Sequence, residues 1–249
     1  MVVRSLVSVA DVEHFAEQGW LLANGHSDVD ALVAWVEEVA AWPDEAGEWL
    51  HHRELTDAGT QLCRTENFVP FHEGLRSLLT TGSMLATASA LLGEPAVLYK
   101  EKINYKLPGG AGYAPHQDAP AYRFVETHVS CMVAVDDALV DNGCLEVASG
   151  CHRELLPTDD RGCIRPDLAA GLEWAPVEVR AGETLWFHSR TPHRSGSNLG
   201  PTPRRALYPT YNALAEGDLR VAYYEQKRTE LGDTNAVSLI GDFQGRPVR

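Results

Sequence analysis

The sequence predicts an α+β fold in which a helical N-terminal part, at about residues 1–94, precedes a β-rich core at about residues 95–214. Apolar side chains recur at helical spacing up to Gly93, alternate with a period of two from Val97, and are then divided by Gly, Pro and Asn-Gly turns. Many short strands after a helical start favour a double-stranded β-helix (jelly-roll, cupin-like) core with flanking helices. We expect a single domain over residues 1–249, because this length with 44% hydrophobic residues can form one sizeable core.

The N-terminal elements are predicted from capping residues and apolar stripes. Ser8 is a suitable N-cap for a helix through Gln18, Gly19 ends that helix, and a short apolar strand follows at 20–23. Two further helical stretches are predicted from apolar residues at helical spacing: Leu32, Trp35, Val36 and Val39 before Pro43, and Leu75, Leu78, Leu79, Leu85, Ala88, Leu91 and Leu92 before Gly93. Two of the other histidines, His51 and His52, are assigned to helix or loop in this region.

Alternation of side chains predicts the strands of the core. They are expected at residues 97–106, 129–135, 144–147, 177–179, 184–187 and 205–212. A polar helix is predicted at 218–231, and residues 241–249 are expected to form a loose tail.

Charge and cysteine content limit the partners and the compartment. A formal net charge of −14 disfavours a nucleic-acid or anionic-membrane surface, so the expected partner is a small molecule. The five cysteines form an odd set without metal-binding spacing, which favours free thiols and a cytoplasmic location. No apolar run approaches ~18 residues, so neither a membrane span nor a secretion signal is expected. The sequence gives no indication of the oligomeric state.

Two histidines and one aspartate are the candidate metal ligands. His116-Gln117-Asp118 places an imidazole and a carboxylate two residues apart, and residues i and i+2 of an extended strand point the same way. His193 lies 77 positions later (193 − 116), which leaves room for several strands between them. Two imidazoles and one carboxylate on one face of a metal are typical of non-haem Fe(II) oxygenases.

The residues that follow His193 add a candidate anion site. Arg204 lies eleven positions later (204 − 193) on the next predicted strand, where a guanidinium could bind the carboxylate of a cosubstrate such as 2-oxoglutarate. Arg205 alternates to the other face of that strand, so Arg204 is the better candidate. An alternative metal ligand is His188, on the strand just before His193.

These motifs resemble the phytanoyl-CoA dioxygenase family of Fe(II)/2-oxoglutarate oxygenases. The distal motif of the family runs His-x-Ser-x-x-Asn and then reaches an Arg, as His193, Ser195, Asn198 and Arg204 do here. The resemblance extends over most of the chain, from Phe15-Ala-Glu-Gln-Gly-Trp through Asn142-Gly-Cys-Leu-Glu-Val and Gly150-Cys-His to Arg204.

The resemblance implies both the cofactors and the roles of the residues. Iron ligands would be His116, Asp118 and His193, while Arg204 and Ser195 would bind the distal carboxylate of 2-oxoglutarate. The implied reaction consumes O₂, releases succinate and CO₂, and oxidises an unactivated C–H bond, with ascorbate as the reductant in vitro. Halogenating relatives lack the metal carboxylate, whereas this chain keeps Asp118, which favours hydroxylation or another oxidation.

Three further residues are candidates for the pocket. In the 97–106 strand, Lys100, Lys102, Asn104 and Lys106 share one face. We interpret Lys102 and Asn104 as candidates for holding an anionic cosubstrate or substrate, and Lys100 and Lys106 as solvent-facing or edge residues. Tyr122, shortly after the metal motif, is a candidate for lining the substrate pocket or for packing.

The substrate class stays open. The segments around Lys102 and His116 look similar to those of family members that oxidise aminoalkylphosphonates or small amino acids. A second basic residue in the pocket, such as Arg64, would favour a small acid or phosphonate, and an apolar lining would favour a lipid or secondary-metabolite scaffold. A zinc hydrolase and a non-catalytic cupin-like metal binder are the alternatives from other classes.

Overall fold

Two antiparallel β-sheets face each other in the computed structural model, and helices cover the outer face of the larger sheet. The structure describes residues 7–23, 28–44, 48–126, 128–232, 234 and 236–248. In these ranges the elements are α1 (Val9–Gln18), β1 (Trp20–Ala23), α2 (Val29–Ala40), β2 (Leu50–Thr56), β3 (Gly59–Glu66), α3 (Glu73–Thr80), α4 (Gly82–Leu92), β4 (Ala96–Lys100), β5 (Lys102–Lys106), β6 (Tyr113–His116), β7 (His128–Ala134), β8 (Leu145–Val147), α5 (Pro166–Ala169), β9 (Ala175–Val177), β10 (Thr184–His188), β11 (His193–Ser195), β12 (Arg204–Leu207), β13 (Thr210–Ala213), α6 (Arg220–Leu231) and β14 (Pro247–Val248).

The two sheets are unequal in size. The larger has ten strands in the order β1-β10-β7-β12-β5-β3-β2-β14, with β13 pairing with β4 and β7, and the smaller has the order β6-β11-β8-β9. Met132 and Leu185 of the larger sheet meet Leu145 and Val147 of the smaller one in the layer between them. Facing antiparallel sheets with flanking helices agree with the predicted jelly-roll core.

The first helices are those that the sequence predicts. Ser8 caps α1, with a capping box formed by Asp11, and Gly19 ends it at φ +81. The buried side of α2 carries Leu32 and Val36, which pack into the core between the helices and the larger sheet. Residues 1–6 of the predicted helical part lie outside the described residues.

An antiparallel hairpin interrupts the segment that was predicted to be helical. Strands β2 and β3 pair along their whole length around a tight turn in which Gly59 has φ +103. The assignment of His51 and His52 to helix or loop is therefore wrong, since both lie on β2. These strands are rich in polar residues on both faces, so their alternation is weak in the sequence.

Three elements that the sequence predicts as continuous are each broken into two in the structure. The third helical stretch breaks at Thr81, whose backbone is extended at φ −141, giving α3 and α4. The 97–106 strand breaks at Glu101, because its backbone N–H and C=O both bond the Tyr224 hydroxyl instead of a neighbouring strand. The 205–212 strand breaks at Tyr208-Pro209, where proline has no N–H to donate.

Two short strands carry the two candidate histidine ligands: a short strand was expected at His116, whereas the one that begins at His193 was not predicted. Strand β6 is the edge of the smaller sheet, and it contains Pro115, which is tolerated there because one side of an edge strand is unpaired. Its neighbour β11 comprises three residues and pairs with both β6 and β8. Strands this short leave almost no alternating pattern in the sequence.

Residues 241–248 pack against the rest of the protein and are not a loose tail, and Arg249 lies outside the described residues. We call residues 236–248, which follow α6, the C-terminal strap. The main chain of Asp242 accepts a hydrogen bond from Ala114 N at 2.7 Å, Phe243 forms a β-bridge with Tyr113, and β14 pairs with β2. The prediction of a polar helix before it is confirmed, with α6 beginning at Arg220.

Cys63, Cys131, Cys144, Cys151 and Cys163 all carry free thiols, as expected. Of the helices in the described part of the chain, none combines the length and apolarity needed to cross a membrane.

Candidate active site

His116 and His193 are direct neighbours across two paired strands. His116 is the last residue of β6, His193 is the first of β11, and the two are register partners. Their ring centroids are 4.2 Å apart, so residues distant in the sequence lie side by side in the sheet. Both rings are buried.

Asp118 reaches the same point by a different route from the one predicted. It lies beyond the end of β6 with helical backbone angles of φ −71 and ψ −30, directly before a 3₁₀ turn at Ala119–Ala121. The expectation that one strand delivers both His116 and Asp118 is therefore wrong. Gln117 supports the turn from the other side, because its side-chain amide donates to the carbonyls of Glu154 and Arg190.

The three side chains are arranged to hold one ion. One ligand atom from each of His116, Asp118 and His193 lies within 4.8 Å of the others. Nδ1 of His116 lies 2.7 Å from the Ala114 carbonyl and Nδ1 of His193 lies 3.0 Å from the Thr191 carbonyl. An imidazole that donates through Nδ1 keeps its Nε2 lone pair free for a metal. Two imidazoles and a carboxylate fit Fe(II).

The charges around the cluster favour the metal-binding forms. Burial lowers the pKa of His193 to about 4, with the neighbouring His116 acting in the same direction, so His193 is neutral at neutral pH. Burial alone would raise the pKa of Asp118, but attraction to the protonated forms of His193, Lys100 and Lys102 outweighs it and holds that pKa below its ordinary value. Asp118 is therefore a carboxylate, as a metal ligand must be.

His188 does not belong to this cluster. Its Nδ1 accepts a hydrogen bond from Arg190 N at 3.0 Å, and its ring packs against His152. The His188 side chain thus stabilises the turn that precedes His193.

Arg204 and Arg205 lie on opposite faces of β12. Arg204 is buried, donates to the Tyr208 hydroxyl at 2.9 Å and has no hydrogen-bond partner for its Nε. Arg205 instead forms an ion pair at 2.8 Å with Asp136, away from the cluster. A buried guanidinium with an unused donor is suited to an anionic ligand.

Ser195 and Lys106 meet beside the two histidines. Lys106 Nζ donates to Ser195 Oγ at 2.8 Å and to the Gly196 carbonyl at 2.6 Å. The interpretation of Lys100 and Lys106 as solvent-facing is wrong, since each is 3% exposed, although β4, which carries Lys100, pairs with β13 alone among the described strands. Both faces of this segment are buried, since Ile103 and Tyr105 of the opposite face pack in the hydrophobic core.

Two adjacent cavities meet at Lys102, Asp118 and Asp242. The first, on the side of the two histidines, is lined also by Asn104, Ser195 and Tyr208. The second is lined also by Arg64, Lys100, Tyr122 and residues of the C-terminal strap. Tyr122 is buried there, and its ring lies 4.9 Å from Lys100 Nζ.

Arg64 organises the wall of the second cavity. Its guanidinium donates to Asn104 Oδ1 at 3.0 Å, to the Tyr113 hydroxyl at 3.0 Å and to the Val237 carbonyl at 2.8 Å. It therefore links β3 and β5 with the strap. Most of its donors are used within the protein, so Arg64 contributes charge and rigidity to the pocket.

Glu66 is the counter-ion behind this wall. Its Oε1 lies 2.5 Å from Lys227 Nζ and 3.4 Å from Arg64 Nη1, and all three side chains are buried. Replacing Glu66 with Gln is expected to lower the free energy of unfolding by about 3 kcal/mol, because two buried cations lose their counter-charge. Urea denaturation measures this difference.

The matched control for Glu66→Gln is Glu230→Gln, which breaks the exposed ion pair with Arg123. A surface pair contributes below about 1 kcal/mol. Equal losses for the two variants would contradict the role given to Glu66.

Asp242 is the site residue that the sequence analysis missed. It is 3% exposed, its Oδ2 lies 3.2 Å from Nε2 of His116, and its Oδ1 has no hydrogen-bond partner. It was assigned to the loose tail, where Asp is an ordinary solvated residue, and no motif in the sequence marks it.

Comparisons with known proteins agree with this geometry. The family model described as phytanoyl-CoA dioxygenase matches residues 15–206. The chain is 49% identical to the methylphosphonate hydroxylase of Gimesia maris, over 90% of this chain and 89% of the relative. It is 42% identical to the 2-aminoethylphosphonate dioxygenase of an uncultured bacterium, over 78% and 76% of the two chains.

A solved structure with the same fold is the non-haem α-ketoglutarate-dependent epimerase SnoN from nogalamycin biosynthesis. It superimposes with a TM-score of 0.69 at 25% identity and covers 82% of each chain. The zinc hydrolase and the non-catalytic metal binder are thereby set aside, since these relatives are oxygenases or depend on 2-oxoglutarate. The chain belongs to the phytanoyl-CoA dioxygenase family and is an Fe(II)- and 2-oxoglutarate-dependent dioxygenase.

Proposed function

We propose that this enzyme oxidises the carbon bonded to phosphorus in a small alkylphosphonate, which binds in the second cavity between Lys100 and Lys102. The observation that carries the proposal is that the ammonium groups of Lys100 and Lys102 line the cavity beside Asp118 without direct contact to any of its carboxylates. Neither forms a hydrogen bond or an ion pair with another described residue. Lys100 Nζ lies over the ring of Tyr122 and Lys102 Nζ lies over the ring of Tyr208.

An anionic ligand stabilises the charged form of both lysines. Burial lowers the pKa of Lys100 and, more strongly, that of Lys102, where the charges of Lys100 and Arg64 act in the same direction. A phosphonate carries up to two negative charges on three acceptor oxygens, which can serve two ammonium groups at once. A lipid or a large scaffold would leave these charges buried and unpaired, at high energetic cost.

The two curated relatives support the same substrate class. Both have phosphonates in their names, and both match this chain over most of its length. Methylphosphonate has a single carbon, so a hydroxylase of that compound must act next to phosphorus. A phosphonate bound beside Asp118 has the carbon attached to phosphorus close to the proposed Fe(II) ligands.

For the cofactors, we infer that His116, Asp118 and His193 hold Fe(II) through the two Nε2 atoms and the carboxylate. Arg204 and Ser195 are the proposed partners of the distal carboxylate of 2-oxoglutarate. Ser195 lines the first cavity with Asn104 and Lys102, and Arg204 adjoins that cavity through its hydrogen bond to Tyr208. When bound, Fe(II) and 2-oxoglutarate activate O₂ for attack on a C–H bond.

The protein itself orients the substrate and shields it from water. Lys100 and Lys102 orient the phosphonate, while Leu239 and Ile240 of the C-terminal strap cover the second cavity and limit the entry of water. Tyr122 forms the floor under Lys100.

Lys100→Met tests the proposal, because Lys100 lines the second cavity and not the first. The value of kcat/KM for methylphosphonate is expected to fall about 100-fold, since a buried charge-assisted contact is lost. The measurement is phosphonate-stimulated succinate formation with Fe(II), 2-oxoglutarate and ascorbate.

Arg165→Met is the matched control, because it removes an exposed cation that pairs with Asp167 at the surface. Small amino acids and lipid acids complete the substrate panel. Stimulation by those compounds and not by any phosphonate would refute the proposal, as would an unchanged kcat/KM in Lys100→Met.

A further inference from the structure

Asp242 of the C-terminal strap is a second charged group in the substrate cavity that the reaction described so far does not use. Its side chain is buried, it lines both cavities, and its Oδ1 has no hydrogen-bond partner. A buried carboxylate oxygen without a donor is costly, so a donor from a ligand is the expected partner.

The position of Asp242 is set by the backbone around it. Its carbonyl accepts from Ala114 N at 2.7 Å, the preceding Gly241 N donates to the Arg161 carbonyl at 2.7 Å, and Phe243 pairs with Tyr113. These bonds hold the strap next to β6, the strand that carries His116. The carboxylate is therefore presented to the cavity by a fixed main chain.

Asp242 is not the third member of the metal cluster. Although its Oδ2 lies 3.2 Å from Nε2 of His116, the ligand atoms that converge are those of His116, Asp118 and His193. Asp242 thus stands beside the cluster, at the border of the substrate cavity.

Asp242 does not pair with the basic side chains that line the second cavity with it. Asp242 forms no ion pair with Lys100, Lys102 or Arg64 among the described residues, although the four side chains line one space. A cavity with two ammonium groups outside any ion pair at one place and, at another, a carboxylate whose Oδ1 has no donor is complementary to a zwitterion. A simple alkylphosphonate would satisfy the lysines and leave Asp242 without a donor.

From these observations, and resting on the proposed function, we infer that Asp242 binds the ammonium group of an aminoalkylphosphonate. Asp242 is then the residue that selects a substrate with an amino group over one without it. Its charge and its fixed position supply the discrimination, because an analogue without the ammonium group leaves Oδ1 of the buried carboxylate without a donor.

The test compares 2-aminoethylphosphonate with ethylphosphonate, which has the same skeleton without the amino group. The wild-type enzyme is expected to prefer the amino compound in kcat/KM. In Asp242→Asn the ratio of the two kcat/KM values is expected to fall about 100-fold. Anaerobic formation of the visible absorption band of the Fe(II)–2-oxoglutarate complex reports separately whether the variant still binds its cofactors.

Asp167→Asn, which removes an exposed carboxylate at the surface ion pair with Arg165, is the control and is expected to keep the wild-type ratio. A wild-type preference for ethylphosphonate, an unchanged ratio in Asp242→Asn, or loss of the absorption band in that variant would each overturn the inference while the proposed function stands. Absence of wild-type turnover with every phosphonate would overturn both.

Discussion

Replacing His193 with Ala is expected to remove bound Fe(II) and to abolish 2-oxoglutarate turnover. His193 supplies one of two imidazoles in the proposed ligand set, and Nε2 of His116 with the Asp118 carboxylate cannot complete a three-ligand face alone. The loss of activity should exceed the ~10–100-fold effect that follows from removing an outer partner of a metal ligand. Iron content after anaerobic loading and succinate formation are the two measurements.

His188→Ala is the matched control, because this histidine lies five residues earlier and outside the cluster. It should retain iron. If His188→Ala loses the metal and His193→Ala keeps it, the alternative ligand weighed from the sequence is the correct one.

Replacing Arg204 with Lys is expected to raise the KM for 2-oxoglutarate by about 100-fold, because truncating one partner of a buried charge pair costs about 2–5 kcal/mol. Lysine keeps the charge but lacks the planar pair of donors that a carboxylate binds. The buried, partly unsatisfied guanidinium of Arg204 is the basis of this expectation. Initial rates over a series of 2-oxoglutarate concentrations give the value.

Arg205→Lys makes the same substitution on the next residue, whose side chain pairs with Asp136 on the other face of β12. Its KM for 2-oxoglutarate should stay near that of the wild type. A KM that responds to Arg205 and not to Arg204 would reverse the assignment of the two side chains.

The parts of the fold that sequence analysis predicts are those with local signals. Ser8 and Gly19 mark the ends of α1, and the alternating residues around Val133 mark β7, because caps and buried strands depend on neighbours in the sequence. The break at Glu101 depends on Tyr224, which lies 123 residues away. No local pattern reports such a contact.

The candidate site likewise contains residues that a local motif predicts and residues that only distant contacts bring together. His116, Asp118 and His193 were selected by motif, although the motif suggested the wrong backbone for Asp118. Asp242 joins them only because the strap pairs with the segment before His116. The burial of Lys100 was also missed, because the same alternating pattern is compatible with either face of a strand.

The register pairing of His116 with His193 has a consequence for folding. A metal ion shared by these two rings is a cross-link between points 77 positions apart, much as a disulfide would be. In the unfolded ensemble, closing a loop of that size is entropically unfavourable. In the native sheet the pairing of β6 with β11 already holds the two rings together, so metal binding does not add this entropy loss. The affinity for the metal ion and the conformational stability are thus thermodynamically linked in this chain, through one pair of register partners in its smaller sheet.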